Sequence, residues 1–403
     1  MSRSHASGPD MNSIVQSLLM LSLAALALPV CVLFFQVLFA VRAKASPRDS
    51  TGVRPSVDIL IPAHNEEAVI CRTLAHLTPQ LLEGDRLLVV ADNCSDQTAT
   101  IARCHGAQVY ERADTERRGK GYALDCGVRW LEYDQRDVLV IIDADCIAEP
   151  GTIEALAVCT QRSGRPVQSL NLMTSATPDR RSSRIAEFAW VVKNHVRPLG
   201  FGCFDLPCQL QGTGMAFPWW LIATASLANG HLVEDMKLGL DLAEQGYPAL
   251  FCPQAKITST FPQSAAAIAT QRLRWEHGHI GMILGTLPRI CLTAARNRDA
   301  PLMALALDMM VPPLALLSLL VAGVAVSSAF YANATGIWLP AAGAAMLSAM
   351  YFTAIALAWW KFGRRIVSFL DLCHTLGYIV WKIPLYAKYF YQKQVRWIRT
   401  ERG

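Results

Sequence analysis

Val138-Leu139-Val140-Ile141-Ile142-Asp143-Ala144-Asp145 is the stretch that decides the fold. Five successive aliphatic residues with no polar alternation describe a strand buried on both faces. That is the place of a central strand in a parallel sheet covered by helices on either side. Two acids follow at what becomes the carboxyl end of the strand. Outward from it, strands are predicted over 57–62, 87–91, 108–110 and 167–173, and helices over 67–76, 96–105, 121–132 and 149–160, in alternation. The class is α/β, Rossmann-like, with a mostly parallel sheet. Ligands of such sheets bind outside the carboxyl ends of the strands. There the sequence places His64-Asn65-Glu66-Glu67, Asp92-Asn93-Cys94-Ser95-Asp96 and Asp143-Ala144-Asp145. No GxGxxG and no Walker motif is present, so no glycine-rich loop cradles a phosphate. Three acidic clusters on one edge repel one another unless a cation sits among them. Carboxylates alone favour a hard ion, Mn²⁺ or Mg²⁺, that also binds substrate phosphates.

The rest of the chain reads as membrane-bound. Of 403 residues 52% are hydrophobic and only 17% are charged, against about a quarter in soluble domains. Residues 14–41 form an almost unbroken apolar run, and a span needs roughly 20. The run continues past Ala25-Leu26-Ala27, beyond the short core of a cleaved signal, so it reads as an uncleaved transmembrane anchor. Arg42, Lys44 and Arg48 follow it, against Arg3 alone before it. The positive-inside rule puts the short tail 1–13 outside and the basic linker 42–54 in the cytoplasm. The soluble domain extends over 55–275, and an interfacial segment over 276–300. Transmembrane and interfacial helices fill 301–391, and a basic cytoplasmic tail occupies 392–403. Within 301–391, one span is expected over 302–331, with Asp308 and Pro312-Pro313 inside it. A second is expected over 336–360, closed by Lys361, Arg364 and Arg365. The run 366–391 carries Asp371, His374, Lys382 and Lys388, and reads as interfacial or re-entrant. Asp308 is either a functional intramembrane acid or a span-end residue satisfied by a neighbour.

The net charge of +5 sits largely beside the apolar runs. Anionic membrane lipids are therefore the expected partners, and no nucleic-acid module is present. Twelve scattered cysteines include no CxxC pair and no zinc spacing. They read as reduced and mostly buried, which suits a cytoplasmic soluble domain. Protein partners leave no signature.

Two later motifs add chemistry. Glu234-Asp235 stands where a helix over 236–245 begins; Asp235 can cap that helix or act as an acid–base group. Gln271-x-x-Arg274-Trp275 lies between the soluble domain and the membrane, as a headgroup patch or a site. Asp92 and Asp96 can likewise cap the helix that follows them. His277 and His279 are expected to be structural, because no other ligand set accompanies them.

Taken in order, Ile61-Pro62-Ala63-His64-Asn65-Glu66, Asp92-Asn93, Arg118-Gly119-Lys120-Gly121, Asp143-Ala144-Asp145, Glu234-Asp235 and Gln271-x-x-Arg274-Trp275 resemble the membrane-bound family 2 glycosyltransferases. Cellulose, chitin and hyaluronan synthases, the ceramide glucosyltransferase and exopolysaccharide glycosyltransferases belong there. The resemblance covers about residues 55–280. It implies a GT-A fold, a nucleotide-sugar donor (usually a UDP-sugar), a divalent ion and inversion at the anomeric carbon. Pro62, Ala63, Asn65 and Glu66 would line the nucleoside pocket, with Asp92 on the uracil and Lys120 near the nucleotide and sugar. Asp143 and Asp145 would hold the donor and its metal. Asp235 would be the general base, beside Glu234. Gln271, Arg274 and Trp275 would contact the diphosphate and the acceptor. Gln211-Gly212-Thr213-Gly214 replaces a Cys-Gly-containing acceptor motif of the processive synthases. Its glycines either let backbone approach the acceptor or make a turn.

Two firm spans after the soluble domain are few for a translocation channel. The leading expectation is a non-processive transfer of one sugar to a membrane lipid or lipid-linked oligosaccharide at the inner face of the plasma membrane. A small processive polysaccharide synthase is the alternative. A non-enzymatic scaffold or transporter would not need Asp143, Asp145 and Asp235 together with Arg274.

Overall fold

The computed structural model describes residues 11–44, 53–175, 177, 180–228, 233–262 and 264–375, and beyond these 377, 383, 384, 386 and 389. Helix α1 (Met11–Arg42) precedes the soluble domain, which runs β1 (Val57–Ala63), α2 (Ile70–Leu77), β2 (Arg86–Asp92), α3 (Thr98–Cys104), β3 (Gln108–Arg112), α4 (Lys120–Leu131), β4 (Val138–Ile141), β5 (Ile147–Ala148), α5 (Thr152–Ser163) and β6 (Val167–Thr174). Next come α6 (Arg181–Val191), a π-helical turn (Val192–Val196) and α7 (Arg197–Gly202). Then follow β7 (Met215–Pro218), α8 (Trp219–Ile222), α9 (Glu234–Glu244) and β8 (Leu250–Thr260). The alternation expected from the sequence is present, with helix starts shifted by one to three residues in either direction.

One sheet of eight strands has the order β3-β2-β1-β4-β7-β6-β8-β5. Its first half, β3 to β4, is parallel. β7 then runs antiparallel to both β4 and β6, β6 pairs with β8 in parallel, and β5 pairs with β8 antiparallel. The sheet is thus mixed, with four of seven pairings parallel. Strand period explains the two cores. Ile59 and Ile61 face one cluster with Ile70, Leu74 and Leu156, while Leu60 faces another with Leu124, Leu131 and Phe217. Helices therefore cover both faces, as the apolar runs require.

The root of β1 carries a charge inside the protein. Asp58 is fully buried and accepts from Arg86 Nε at 2.7 Å and Nη2 at 3.0 Å, and from the Arg136 amide at 2.9 Å. Removing one partner of such a pair leaves an uncompensated buried charge. Arg86→Leu is expected to cost about 3–5 kcal/mol, read as a lower guanidinium midpoint of the full chain in detergent.

After β8 come α10 (Ala265–Gly285), α11 (Leu287–Asn297), α12 (Ala300–Met310), α13 (Leu314–Thr335), α14 (Leu339–Ala358) and the short α15 (Phe369–Cys373). The run 302–331 is not one helix. Pro312 and Pro313 remove two amide donors and force Val311 out of helical geometry, to ψ 106°, so α12 ends and α13 begins anew. Three described helices are long and apolar enough to cross a membrane: α1, α13, and α14 with its extension to Gly363. They lie side by side. Tyr331 Oη at the end of α13 donates to Asn12 O at the start of α1, 3.0 Å away. Lys361, past the end of α14, donates to Val41 O at 2.5 Å and so meets the unpaired carbonyls where α1 ends. The ends of α1 and α14 that carry cations therefore coincide. Eleven of the 26 residues in 366–391, and all of 392–403, lie outside the described residues.

Candidate active site

The carboxyl ends of β1 and β2 are tied together first. His64 Nδ1 donates to Asp92 O at 2.6 Å. Asn65, at φ +54°, accepts from the Ser95 amide at 2.7 Å, and the Glu66 amide donates to Thr98 Oγ1 at 2.8 Å. Pro62, Ala63, Asn65 and Glu66 thereby form one wall of a cleft of about 960 Å³. Asp92 is buried and accepts from Arg112 Nη1 at 2.6 Å and from Asn93 Nδ2 at 2.9 Å. It caps no helix. Asp96 has the local role instead, accepting from the Thr98 amide at 3.0 Å and the Glu67 amide at 3.1 Å. Arg112 could not be picked out from the sequence, since it closes a short strand that otherwise reads as exposed.

The centre of the cleft is built around Lys120, the first residue of α4. Its ammonium donates to Asp143 Oδ1 and, at 2.6 Å, to Gly212 O. The Asp143 amide donates to Thr213 Oγ1 at 3.0 Å, so the 211–214 turn is stitched to the end of β4. Gly212 has φ +84°, and a Cβ there would stand 3.3 Å from Asp235 Oδ2 and 3.7 Å from Lys120 Nζ. Gly214, at φ +65°, has no room at all: a Cβ would meet Ser169 Oγ at 1.8 Å. The glycines thus make a turn at positive φ that packs closely on Ser169, Asp235 and Lys120.

Asp235 lies in the first turn of α9 and accepts from the Met236 amide at 2.8 Å. Burial raises its pKa. Burial, and then the neighbouring Asp235 charge, push Glu234 up to about 7. Asp143, Asp145, Glu234 and Asp235 are among eight carboxylates that line the cleft, against five cations, Arg118, Lys120, Lys193, Arg197 and Arg274. That balance leaves room for a divalent cation. Ligand atoms of Asp143, Asp145 and Cys146 lie within 4.8 Å of one another. Burial and both aspartates push the Cys146 thiol well up, so it stays protonated and the carboxylates are the donors that fit a hard ion.

The far wall comes from α10, which carries Gln271, Arg274 and Trp275. Trp275 packs on Trp190, ring centres 4.9 Å apart at 41°, and Trp190 Nε1 donates to Asn171 O at 3.1 Å. At Gly278 a Cβ would stand 2.5 Å from Val233 Cγ1, so this glycine lets α10 close on the residue before Glu234. His279 donates from Nε2 to Met309 O at 3.0 Å, and burial lowers it to about 3, which keeps it neutral. His277 packs edge-on to Tyr389 at 5.2 Å. Both rings hold structure through these contacts. Asp308 accepts from Gln36 Nε2 at 2.7 Å, Arg197 Nη2 at 2.8 Å and Gln209 Nε2 at 2.8 Å. Neighbours satisfy it, it also lines the cleft, and it ties α1, α7 and α12 to the segment leading into Gly212.

Every site residue named from the sequence lines this one cleft. Trp190, Lys193, Asn194, Asn171 and Arg197 line it too and were missed; the one signal was the mixture of aromatic and basic residues in 181–197.

Comparison with known proteins bears on this arrangement. The model of the family described as glycosyltransferase like family 2 matches residues 55–278. The probable glycosyltransferase YdaM of Bacillus subtilis (strain 168) is 28% identical over 264 residues, covering 59% of this chain and 58% of its own length. The 4,4'-diaponeurosporenoate glycosyltransferase of Staphylococcus haemolyticus (strain JCSC1435) is 27% identical over 197 residues, 46% of this chain and 50% of its own. The matches thus span only about half to three-fifths of these relatives. Among solved structures, the mannosyltransferase PcManGT from Pyrobaculum calidifontis, in complex with GDP-Man and Mn²⁺, aligns over 94% of this chain and 100% of its own. The TM-score is 0.56 at 19% identity, so what is shared is the fold.

Proposed function

Because the chain belongs to the family 2 glycosyltransferases, we propose that it transfers one sugar from a nucleotide-sugar, a UDP-sugar, to a membrane lipid or lipid-linked oligosaccharide, with inversion. The observation that carries this reading is the place of Asp235. Its Oδ2 looks across Gly212 at Lys120, with Asp143 and Asp145 beyond, while the Trp190–Trp275 pair walls the cleft. Asp235 takes the proton from the acceptor hydroxyl as that oxygen attacks the anomeric carbon. A base of this kind contributes about 10²–10⁴-fold. Asp143 and Asp145 would hold Mn²⁺ or Mg²⁺, which would supply positive charge for the departing diphosphate. Lys120 and Arg274 stabilise the same charge from the protein side. Trp275 offers an apolar face to the acceptor sugar or lipid head.

In this reading the acceptor is a lipid of the membrane that α1, α13 and α14 cross, and the Asp308 cluster holds α1 against the cleft wall. The reading makes the protein an integral protein of the plasma (inner) membrane with its catalytic domain in the cytoplasm, in glycolipid or exopolysaccharide synthesis. The choice of UDP follows the motif resemblance, so the donor must be varied in the test. With the full chain in nanodiscs and Mn²⁺, nucleoside diphosphate release from one nucleotide-sugar is expected to rise on adding a lipid extract of the host membrane. Release that ignores the lipid would contradict a lipid acceptor.

The pH profile follows from the carboxyl pair. Base catalysis needs Asp235 ionised, and burial raises both members of the pair, with the two like charges adding to it at Glu234. kcat/KM should therefore fall on acidification along a limb displaced above the ordinary carboxylate range. Glu234→Gln should leave that limb in place, because Glu234, up at about 7, is still protonated where Asp235 titrates and puts no charge on it there. A limb that follows the substitution would make Glu234 the base.

A further inference from the structure

We propose that the π-helical turn Val192–Val196 builds an anion subsite beside the general base, in which Lys193 and Asn194 hold a phosphate or carboxylate carried by a lipid acceptor. The proposal rests on the transferase reading and names its acceptor class.

The backbone is the first observation. The helix that starts at Arg181 does not run evenly to Gly202; five residues of π-geometry interrupt it between α6 and α7. Such a turn adds a residue to the helical repeat and redirects the side chains around it, and it recurs at functional sites. Here Trp190, Lys193, Asn194 and Arg197 all line the cleft.

The second observation is what these side chains leave unmade. Asn194 is 1% exposed, and neither its Nδ2 nor its Oδ1 has a hydrogen-bond partner among the described residues. Asn171, 3% exposed and also in the cleft wall, has an unpartnered Oδ1. Buried amides rarely go unpaired without a reason. Arg197 is compensated by Asp308. Lys193 pairs with no carboxylate among the described residues; its ammonium lies 5.7 Å from the Trp190 ring centre. Its side chain is exposed where it lines the cleft, and the Asp235 charge acts on it, which puts the two groups within electrostatic reach. A cation lining the cleft, with the amide of the next residue unpartnered, suits an oxyanion.

The third observation concerns where the subsite opens. α7 continues from the π-turn and lies so close to α1 that a Cβ on Gly200 would be 1.9 Å from Gln36 O. The anion would thus bind against the membrane anchor, with Phe201 and Pro198 on the cleft wall. An anionic headgroup seated on Lys193 would set a nearby hydroxyl against Asp235. A soluble anion would gain nothing from this apolar side.

The test uses the full chain in phosphatidylcholine nanodiscs, saturated with UDP and Mn²⁺ so that the diphosphate place is filled. Binding of hexyl phosphate, inorganic phosphate and hexanol is then measured by calorimetry. Hexyl phosphate should bind more tightly than inorganic phosphate, and hexanol should not bind. Lys193→Gln should weaken hexyl phosphate at least tenfold, with UDP affinity unchanged, and Lys193→Arg should restore it to within about threefold. Hexyl phosphate binding that does not depend on Lys193 would overturn the subsite. So would a Lys193→Gln protein that loses UDP affinity equally, because the lysine would then serve the donor. Equal binding of the two phosphates would overturn the lipid assignment. If the wild-type protein binds no nucleoside diphosphate with any divalent ion, the transferase reading fails, and the subsite with it.

Discussion

Asp235→Asn should lower kcat by about 10²–10⁴-fold while nucleotide affinity stays within about twofold of the wild type. The acceptor hydroxyl is a poor nucleophile, and only a base in reach of it can take its proton as the bond forms. Asp235 is the carboxylate that faces Gly212, close to the Lys120–Asp143 pair. The amide of the substituted side chain keeps the size and can still accept from the Met236 amide, so α9 should keep its first turn. Loss of kcat with an unchanged thermal midpoint would be the signature of a missing base. An Asp235→Asn enzyme that turns over normally would transfer the role elsewhere, with Glu234 next in line.

Removing the divalent ion should abolish turnover and weaken donor binding together, and Asp145→Ala should do both in the presence of Mn²⁺. Eight carboxylates line the cleft against five lysines and arginines. A diphosphate brings still more negative charge to that place. Its entry without a divalent ion would face repulsion in a confined site, where charges are poorly screened. Full activity in excess chelator would show that Lys120 and Arg274 suffice for the leaving group. Asp145 would then be a structural residue.

Much of this was legible before any coordinates. Strand 138–142 and its two acids located the sheet's centre and the metal-binding edge, because an unbroken aliphatic run leaves little alternative to a doubly covered strand. The motifs at Pro62–Glu66, Asp92, Lys120, Asp235 and Gln271–Trp275 all reach one cleft. Two things did not show. Strand direction past β4 depends on how the chain returns through 211–214, and no local pattern encodes that β7 runs antiparallel. Lys193 and Asn194 were invisible for a related reason: no apolar run marks that segment, and their placement depends on a π-turn. Asp308 stood out as an acid in an apolar run, but only three-dimensional proximity supplied Gln36, Arg197 and Gln209.

The most direct test of the central claim is mass spectrometry of the product. The purified full chain would be given Mn²⁺, a panel of nucleotide-sugars and a host lipid extract. The account predicts one lipid whose mass grows by a single hexose or N-acetylhexosamine from one donor, and no growth with the Asp235→Asn protein. A ladder of repeating sugar masses would contradict single transfer and make the protein a processive synthase. No mass change with any donor would contradict the transferase itself.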